Sequence, residues 1–375
     1  MTTITAEEIL GKLNDSYSYS YSSSSWGTDN STLLDCEYQL SNPAIDYGLV
    51  LPLCFAALFG IVGNGSLILV GVFNTNLRSS GPNILLLQLA LAALVYIVVK
   101  VPCVIDTSIS GGCWRYGLYG CKILSFAFMF SRGLMVWTLT ASSINLCCSL
   151  VRGVRIIPNA RSGLRAASKT IVLTWTWSFI ISVPSFFLSN LWSEYNCISV
   201  PLTVDPETDE INYRPLKICY LLWTILQYIL PLIIIGCAYG IIAYKLVQST
   251  RSFNESQPRM RQFFDERRRL VRIFYFITGL FASCWFPFYL FHLLAIAGIQ
   301  PTRLRNAGMV ASILFPCIYP WITYLMSEPY RKGVKNIFRG HGYQPVSSRG
   351  TETCGHSMQS MNNVDHNHVN NRSTV

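Results

Sequence analysis

Phe281-Ala282-Ser283-Cys284-Trp285-Phe286-Pro287 lies inside an apolar segment long enough to cross a bilayer. A proline stands near the middle of that segment and an indole two residues before it. Proline lacks the N–H that a helix needs at that point, and it bends the axis. In lipid such a bend survives only where neighbouring helices or waters satisfy the freed carbonyl. Trp285 therefore sits either in a packed core or beside a moving joint, and these seven residues allow both.

The surrounding chain fixes the setting. Its 375 residues are 51% hydrophobic and only 13% charged, against about 25% charged in a soluble domain. Apolar stretches fall at 46–73, 82–108, 118–151, 167–189, 214–247, 266–297 and 305–326. Each is near or above the ~20 residues that span ~30 Å of hydrocarbon. The expected fold is an all-α membrane protein, a seven-transmembrane helix bundle over 46–326. A short amphipathic interfacial helix over 327–339 follows, because Tyr330, Val334, Ile337 and Phe338 recur at helical spacing among basic residues.

An odd number of spans puts the termini on opposite sides. Arg152, Arg155, Arg161, Arg165 and Lys169 follow the third span without an acid among them. Lys245, Arg251, Arg259, Arg261 and Arg267-Arg268-Arg269 precede the sixth, against Glu255, Asp265 and Glu266. Both loops are expected in the cytoplasm, and residues 1–45, acidic through Glu7, Glu8, Asp15, Asp29, Asp35 and Glu37, outside. The net charge of +10 thus serves topology and gives no reason to expect nucleic-acid binding. No cleavable signal is evident, so the first span is expected to direct insertion.

Residues 1–45 and 340–375 are polar and expected to be disordered. Asn30 and Asn14 head glycosylation sequons on the outer side; Asn64 heads one inside a span, out of reach. Of thirteen cysteines, Cys36, Cys113, Cys121 and Cys197 fall outside, where disulfides form; four cysteines allow three pairings. The acids Asp205, Glu207, Asp209 and Glu210 stand near the outer entrance. No phosphate-cradling loop or metal-spaced His/Cys cluster occurs, and His292 is the only histidine inside a span. No enzyme activity, cofactor or metal is expected. The seventh span also has no lysine for a retinal Schiff base.

Several landmarks occur together and in order: Gly63-Asn64, then Trp114, Gly117, Cys121 and Lys122, then Trp175 and Pro184. Pro231 and Tyr239 follow, then Cys284, Trp285 and Pro287, then Pro320 and the stretch Ser327 to Lys332. In this order and spacing the chain, over about 46–339, resembles the rhodopsin-like (class A) G-protein-coupled receptors. The resemblance implies a plasma-membrane receptor acting on heterotrimeric G proteins and a Cys121–Cys197 bridge. Cys36 and Cys113 are then left over, as a second bridge or as two free thiols.

The departures from the family pattern are equally specific. The family's Asp-Arg-Tyr falls on Asn145-Leu146-Cys147, and its Asn-Pro-x-x-Tyr becomes Tyr319-Pro320-Trp321-Ile322-Thr323. The second-helix aspartate that holds sodium in relatives is Ala93, with Met135 and Tyr319 for neighbours. A hard cation needs oxygen ligands, so no sodium site is expected. Arg267 stands where many relatives have an acid, so the latch at the inner helix ends cannot form. Two readings follow. One is a receptor that couples through other contacts, among them Tyr239 and the basic loops, with Pro287 and Pro320 as switch positions. The other is a decoy, scavenger or arrestin-biased receptor that binds ligand and couples weakly or not at all.

The pocket is expected to hold Lys100, Asp106, Phe128, Arg132, Trp285, Tyr289 and His292. Aminergic relatives have an aspartate where Phe128 stands, which argues against an amine. Arg132 follows one turn later on the same face. A mid-membrane cation is costly and faces the bundle interior. It either pairs internally, with Asp106 or with carbonyls at a bend, or meets an anionic group of a ligand. A peptide fits best, helped by Asn74-Thr75-Asn76-Leu77-Arg78, which resembles peptide-binding members; a lipid or other carboxylate is the alternative. In the tail, Ser373-Thr374-Val375 resembles a PDZ ligand, Tyr343-Gln344-Pro345-Val346 an endocytic signal, and Ser347, Ser348, Thr351 and Thr353 are candidate phosphosites for arrestin.

Overall fold

Spans of apolar residues become helices in lipid because only there are all backbone groups satisfied within the segment. The computed structural model of the chain describes residues 47–74, 77, 80–110, 113–153, 160–193, 196–198, 203–204, 211–212, 214–252, 258–299 and 301–338. Seven of its helices are long and apolar enough to cross a membrane. They are α1 (Tyr47–Phe73), α2 (Gly81–Ile109), α3 (Gly117–Gly153), α4 (Ala160–Leu188), α5, α6 (Pro258–Ile296) and α7 (Thr302–Met326). The fifth, α5, is continuous but uneven: Arg214–Thr224, a π-helical turn Ile225–Ile229, then Leu230–Ser252. These seven spans agree with the expected bundle.

Helix α3 runs through the middle, packed on α2, α4, α5 and α6. One apolar core links the spans, from Leu67 and Leu89 through Leu139 and Leu146 to Phe274, Phe281 and Phe315. Large apolar side chains on other faces, such as Phe55, Val172 and Ile233, are exposed, as faces meeting hydrocarbon must be. Some contacts depend on a missing side chain. A Cβ on Gly308 would stand 2.7 Å from the Cα of Phe288, so α6 and α7 meet backbone to backbone there.

The start of α3 is held by the residues singled out in the sequence. Gly117 has φ 61°, a conformation that favours glycine. The Trp114 indole donates to its carbonyl at 3.0 Å. Cys121 is bridged to Cys197, which lies in β2 (Asn196–Ile198), paired antiparallel with β1 (Asn190–Ser193). A second small hairpin joins β3 (Thr203–Val204) to β4 (Ile211–Asn212). The sequence reading anticipated no strands in this loop. Cys113 is disulfide-bonded as well, while Cys36 lies outside the described residues.

After α7 the chain turns into α8 (Glu328–Phe338). Tyr330 is buried against the core with Val334 beside it, and Arg331 donates to the last carbonyls of α7, those of Tyr324 and Leu325. These are the orphan acceptors of a helix end. Lys332 pairs with Glu328 at 2.7 Å and holds that carboxyl below its usual range.

Candidate ligand-binding site

Prolines inside the spans leave carbonyls without a donor, and two of these carbonyls organise the interior. Pro231 has no N–H for the carbonyl of Gln227, four residues back. The chain relaxes into the π turn, where the Leu230 N–H reaches the Ile225 carbonyl. The Tyr289 hydroxyl of α6 then donates to the freed Gln227 carbonyl at 3.4 Å. A π turn of this kind turns a residue out of the α-helical phase. Here it accompanies Gln227, which is wholly buried.

The Gln227 side chain holds Arg132. The guanidinium Nε donates to Gln227 Oε1 at 2.7 Å, and Nη2 contacts the Met129 sulfur. Its central carbon lies 5.6, 5.3 and 5.7 Å from the ring centroids of Trp285, Phe288 and Tyr289. Arg132 is only 6% exposed and meets no carboxylate among the described residues. A charge at mid-bilayer costs about 2.5–3.5 kcal/mol by insertion scales. Desolvated cation–π contacts are worth up to ~2 kcal/mol each, so the aromatic cage offsets that cost without an acid.

Lys100 enters one turn outward. Its ammonium stands 4.5 Å from the centroid of the Phe128 ring, and Phe128 precedes Arg132 by one turn of α3. One turn before Lys100 on α2, the Tyr96 hydroxyl meets Ser312 of α7 at 3.1 Å, and its ring lies edge-on to Trp285 at 5.8 Å. Trp285, Tyr289 and His292 share the inward face of α6, as their spacing requires. His292 packs between Tyr220 and Phe288, with centroids at 4.6 and 4.4 Å. The Gln227 Nε2, Trp285 Nε1 and His292 Nδ1 atoms are buried without a partner among the described residues.

Six of the seven expected pocket residues thus gather in one cation-bearing aromatic chamber. Asp106 stands apart near the C-terminal end of α2, held by Arg115, whose Nε donates to it at 3.3 Å. It is not the partner of Arg132. Gln227, Tyr96, Ser312 and Phe288 complete the chamber and went unnoticed in the sequence. Pro231 was the available signal for Gln227, since it marks the freed carbonyl; nothing local marks the other three.

The second freed carbonyl lies on α7. Pro320 leaves the Pro316 carbonyl open, and Asn64 of α1 donates to it at 2.8 Å. Asn64 also donates to the Gly60 carbonyl, and its Oδ1 accepts the Tyr319 hydroxyl at 2.5 Å. Ala93 and Met135 are buried and apolar nearby in the core. Asn64 has no exposed surface, in keeping with an unreachable sequon. Toward the C-terminal end of α3, Asn145 donates to Thr170 of α4 at 3.0 Å, Leu146 is fully buried in the apolar core, and Cys147 is nearly so. The Tyr239 hydroxyl lies 3.5 Å from that of Thr278.

The family model "7 transmembrane receptor (rhodopsin family)" matches residues 63–324. The chain belongs to the rhodopsin family of seven-transmembrane receptors. The receptor is 31% identical over 316 residues to bombesin receptor subtype-3 of Ovis aries, covering 79% of this chain and 76% of that one. It is 30% identical over 312 residues to the neuropeptide CCHamide-1 receptor of Drosophila melanogaster, covering 77% and 61%. It is 26% identical over 335 residues to the [Phe13]-bombesin receptor of Bombina orientalis, covering 83% and 82%. The family and the seven helices make it a multi-pass plasma-membrane protein. The resemblance read from its motifs is thereby borne out.

Proposed function

We propose that this receptor binds an extracellular peptide in the chamber around Arg132 and signals through heterotrimeric G proteins. The observation that carries the reading is Arg132 itself, a buried cation with spare donors and no carboxylate partner among the described residues. Relatives named for bombesin and for a neuropeptide supply the ligand class. Ligand contact falls to Lys100, Phe128, Arg132, Trp285, Tyr289 and His292, with Asp106 at the mouth. In this reading the N-terminal segment, with Asn14 and Asn30, lies outside and the tail inside, a topology that the basic loops support. The protein works by changing shape, without bond-making chemistry. A GTP-exchange assay on membranes containing the full chain, challenged with a peptide library, tests it. Arg132→Ala is expected to abolish the response while surface expression persists; lost expression would mark Arg132 as structural.

A second reading is favoured by one observation. Leu146 is an apolar, fully buried residue where the family carries its coupling arginine. Under that reading the receptor binds ligand and exchanges little GTP. Binding without exchange on any G-protein class, rescued by Leu146→Arg, would establish it. Further proposals concern the segments beyond the described residues. A Cys36–Cys113 bridge should appear as a cross-linked pair in mass spectra of non-reduced peptides, and Ser373-Thr374-Val375 would engage a PDZ domain.

A further inference from the structure

Two cations share the interior of the bundle with no acid between them among the described residues. Arg132 uses Nε on Gln227 and Nη2 on the Met129 sulfur; a guanidinium has five N–H donors, and the rest meet no acceptor among the described residues. Lys100 rests its ammonium on the Phe128 ring, and its three N–H groups likewise find none. Phe128 precedes Arg132 by four residues, one turn of α3, so the two cations stand on neighbouring turns. The acid most obviously available, Asp106, is already taken by Arg115. Beside Arg132, the Nε2 of wholly buried Gln227 is also unpartnered. Like charges gathered in a low-dielectric chamber repel, and one anion between them would remove the repulsion.

We infer that Lys100 and Arg132 jointly receive one carboxylate of the ligand, seated over Phe128, and that Gln227 is the positioning residue that holds Arg132 ready. The inference rests on the ligand-binding reading above and commits the deep end of that ligand to a carboxylate. A guanidinium offers a planar fork and an ammonium a point charge, so together they grip both oxygens of one group. A peptide C-terminus, an acidic side chain and a fatty acid all present that chemistry.

The first test needs no ligand. Phe128→Glu places a carboxylate where the foreign one would sit, and Phe128→Gln is its neutral twin. In the full-length receptor the Glu variant is expected to melt several degrees above the Gln variant. The gap should close when Lys100→Gln and Arg132→Gln are added. A Glu variant melting at or below its Gln twin overturns the inference. The second test keeps it falsifiable should both variants fail to fold. Library peptides are assayed for GTP exchange as free acids and as amides, with acidic side chains as acids and as amides. Fatty acids are run beside their methyl esters. Capping the active carboxylate should cost about 30-fold or more in potency, as does unpairing a buried charge. That loss should shrink to a few-fold in Lys100→Gln. In Gln227→Leu, potency should drop for the acid and its capped form unequally, since only the acid needs a placed guanidinium. Peptides equally active capped and uncapped would leave the peptide reading standing and defeat the carboxylate. Activity confined to fatty acids and lost in their esters would do the reverse.

Discussion

Asn64 ties α1 to α7 with two bonds and braces its own helix with a third: its amide donates to Pro316 of α7 and to Gly60 of α1, and its oxygen accepts from Tyr319. Tyr319→Phe would leave that buried oxygen unpaired, at a cost of about 1–3 kcal/mol. A thermal melt of the purified receptor should register the loss; an unchanged melting temperature would show that the bond contributes nothing net. Relatives with a sodium ion surround it with oxygens, whereas Ala93 and Met135 offer none. Replacing sodium by potassium in the buffer should therefore leave basal GTP exchange unchanged, and a sodium-dependent shift would require a cation site elsewhere. The sequence disclosed Tyr319 as a departure and Asn64 as a landmark, but not that they touch. Their contact spans 255 residues of chain, and no local pattern encodes a pairing set by how two helices pack. Arg132 was legible for the opposite reason: a charge inside an apolar run announces itself.

Whole helices were the most legible part of the chain, because length and apolarity alone decide a span. What the spans do inside the bundle was less so. The π turn before Pro231 was not anticipated, because α-helix and π turn differ by a phase that composition does not record. Close approach was hidden as well. Gly308 and Gly279 look alike in sequence, yet a Cβ on Gly308 meets the α6 backbone while one on Gly279 meets nothing within 4 Å. Gly308→Ala should push α6 and α7 apart and lower both surface expression and melting temperature. Gly279→Ala should be tolerated. Equal effects would mean that the tight α6–α7 approach is not needed. At α8, Tyr330 is buried against the core, so Tyr330→Ala would leave a cavity there and is expected to loosen the helix it anchors.

At the scale of the molecule, the Cys121–Cys197 bridge ties the top of α3 to the hairpin above the chamber. Closing so long a loop is worth roughly 4 kcal/mol in the chain-entropy model. Cys121→Ser should accordingly strand the protein inside the cell, with surface staining as the readout; normal surface levels would show that the bundle alone holds its outer face. The pairing followed from the family resemblance, whereas the hairpin that carries Cys197 did not, since its strands are only three and four residues long. The π turn of α5 has one more consequence. With 3.6 residues per α-helical turn, each added residue rotates everything beyond it by about 100°. The halves of α5 before and after the turn are therefore two helical wheels out of phase, and a stripe traced along one half points a different way in the other. Removing a single residue between Ile225 and Ile229 would bring the two wheels back into step. The segment before the turn would then be rotated relative to the segment after it, with every other side chain still present in the chain.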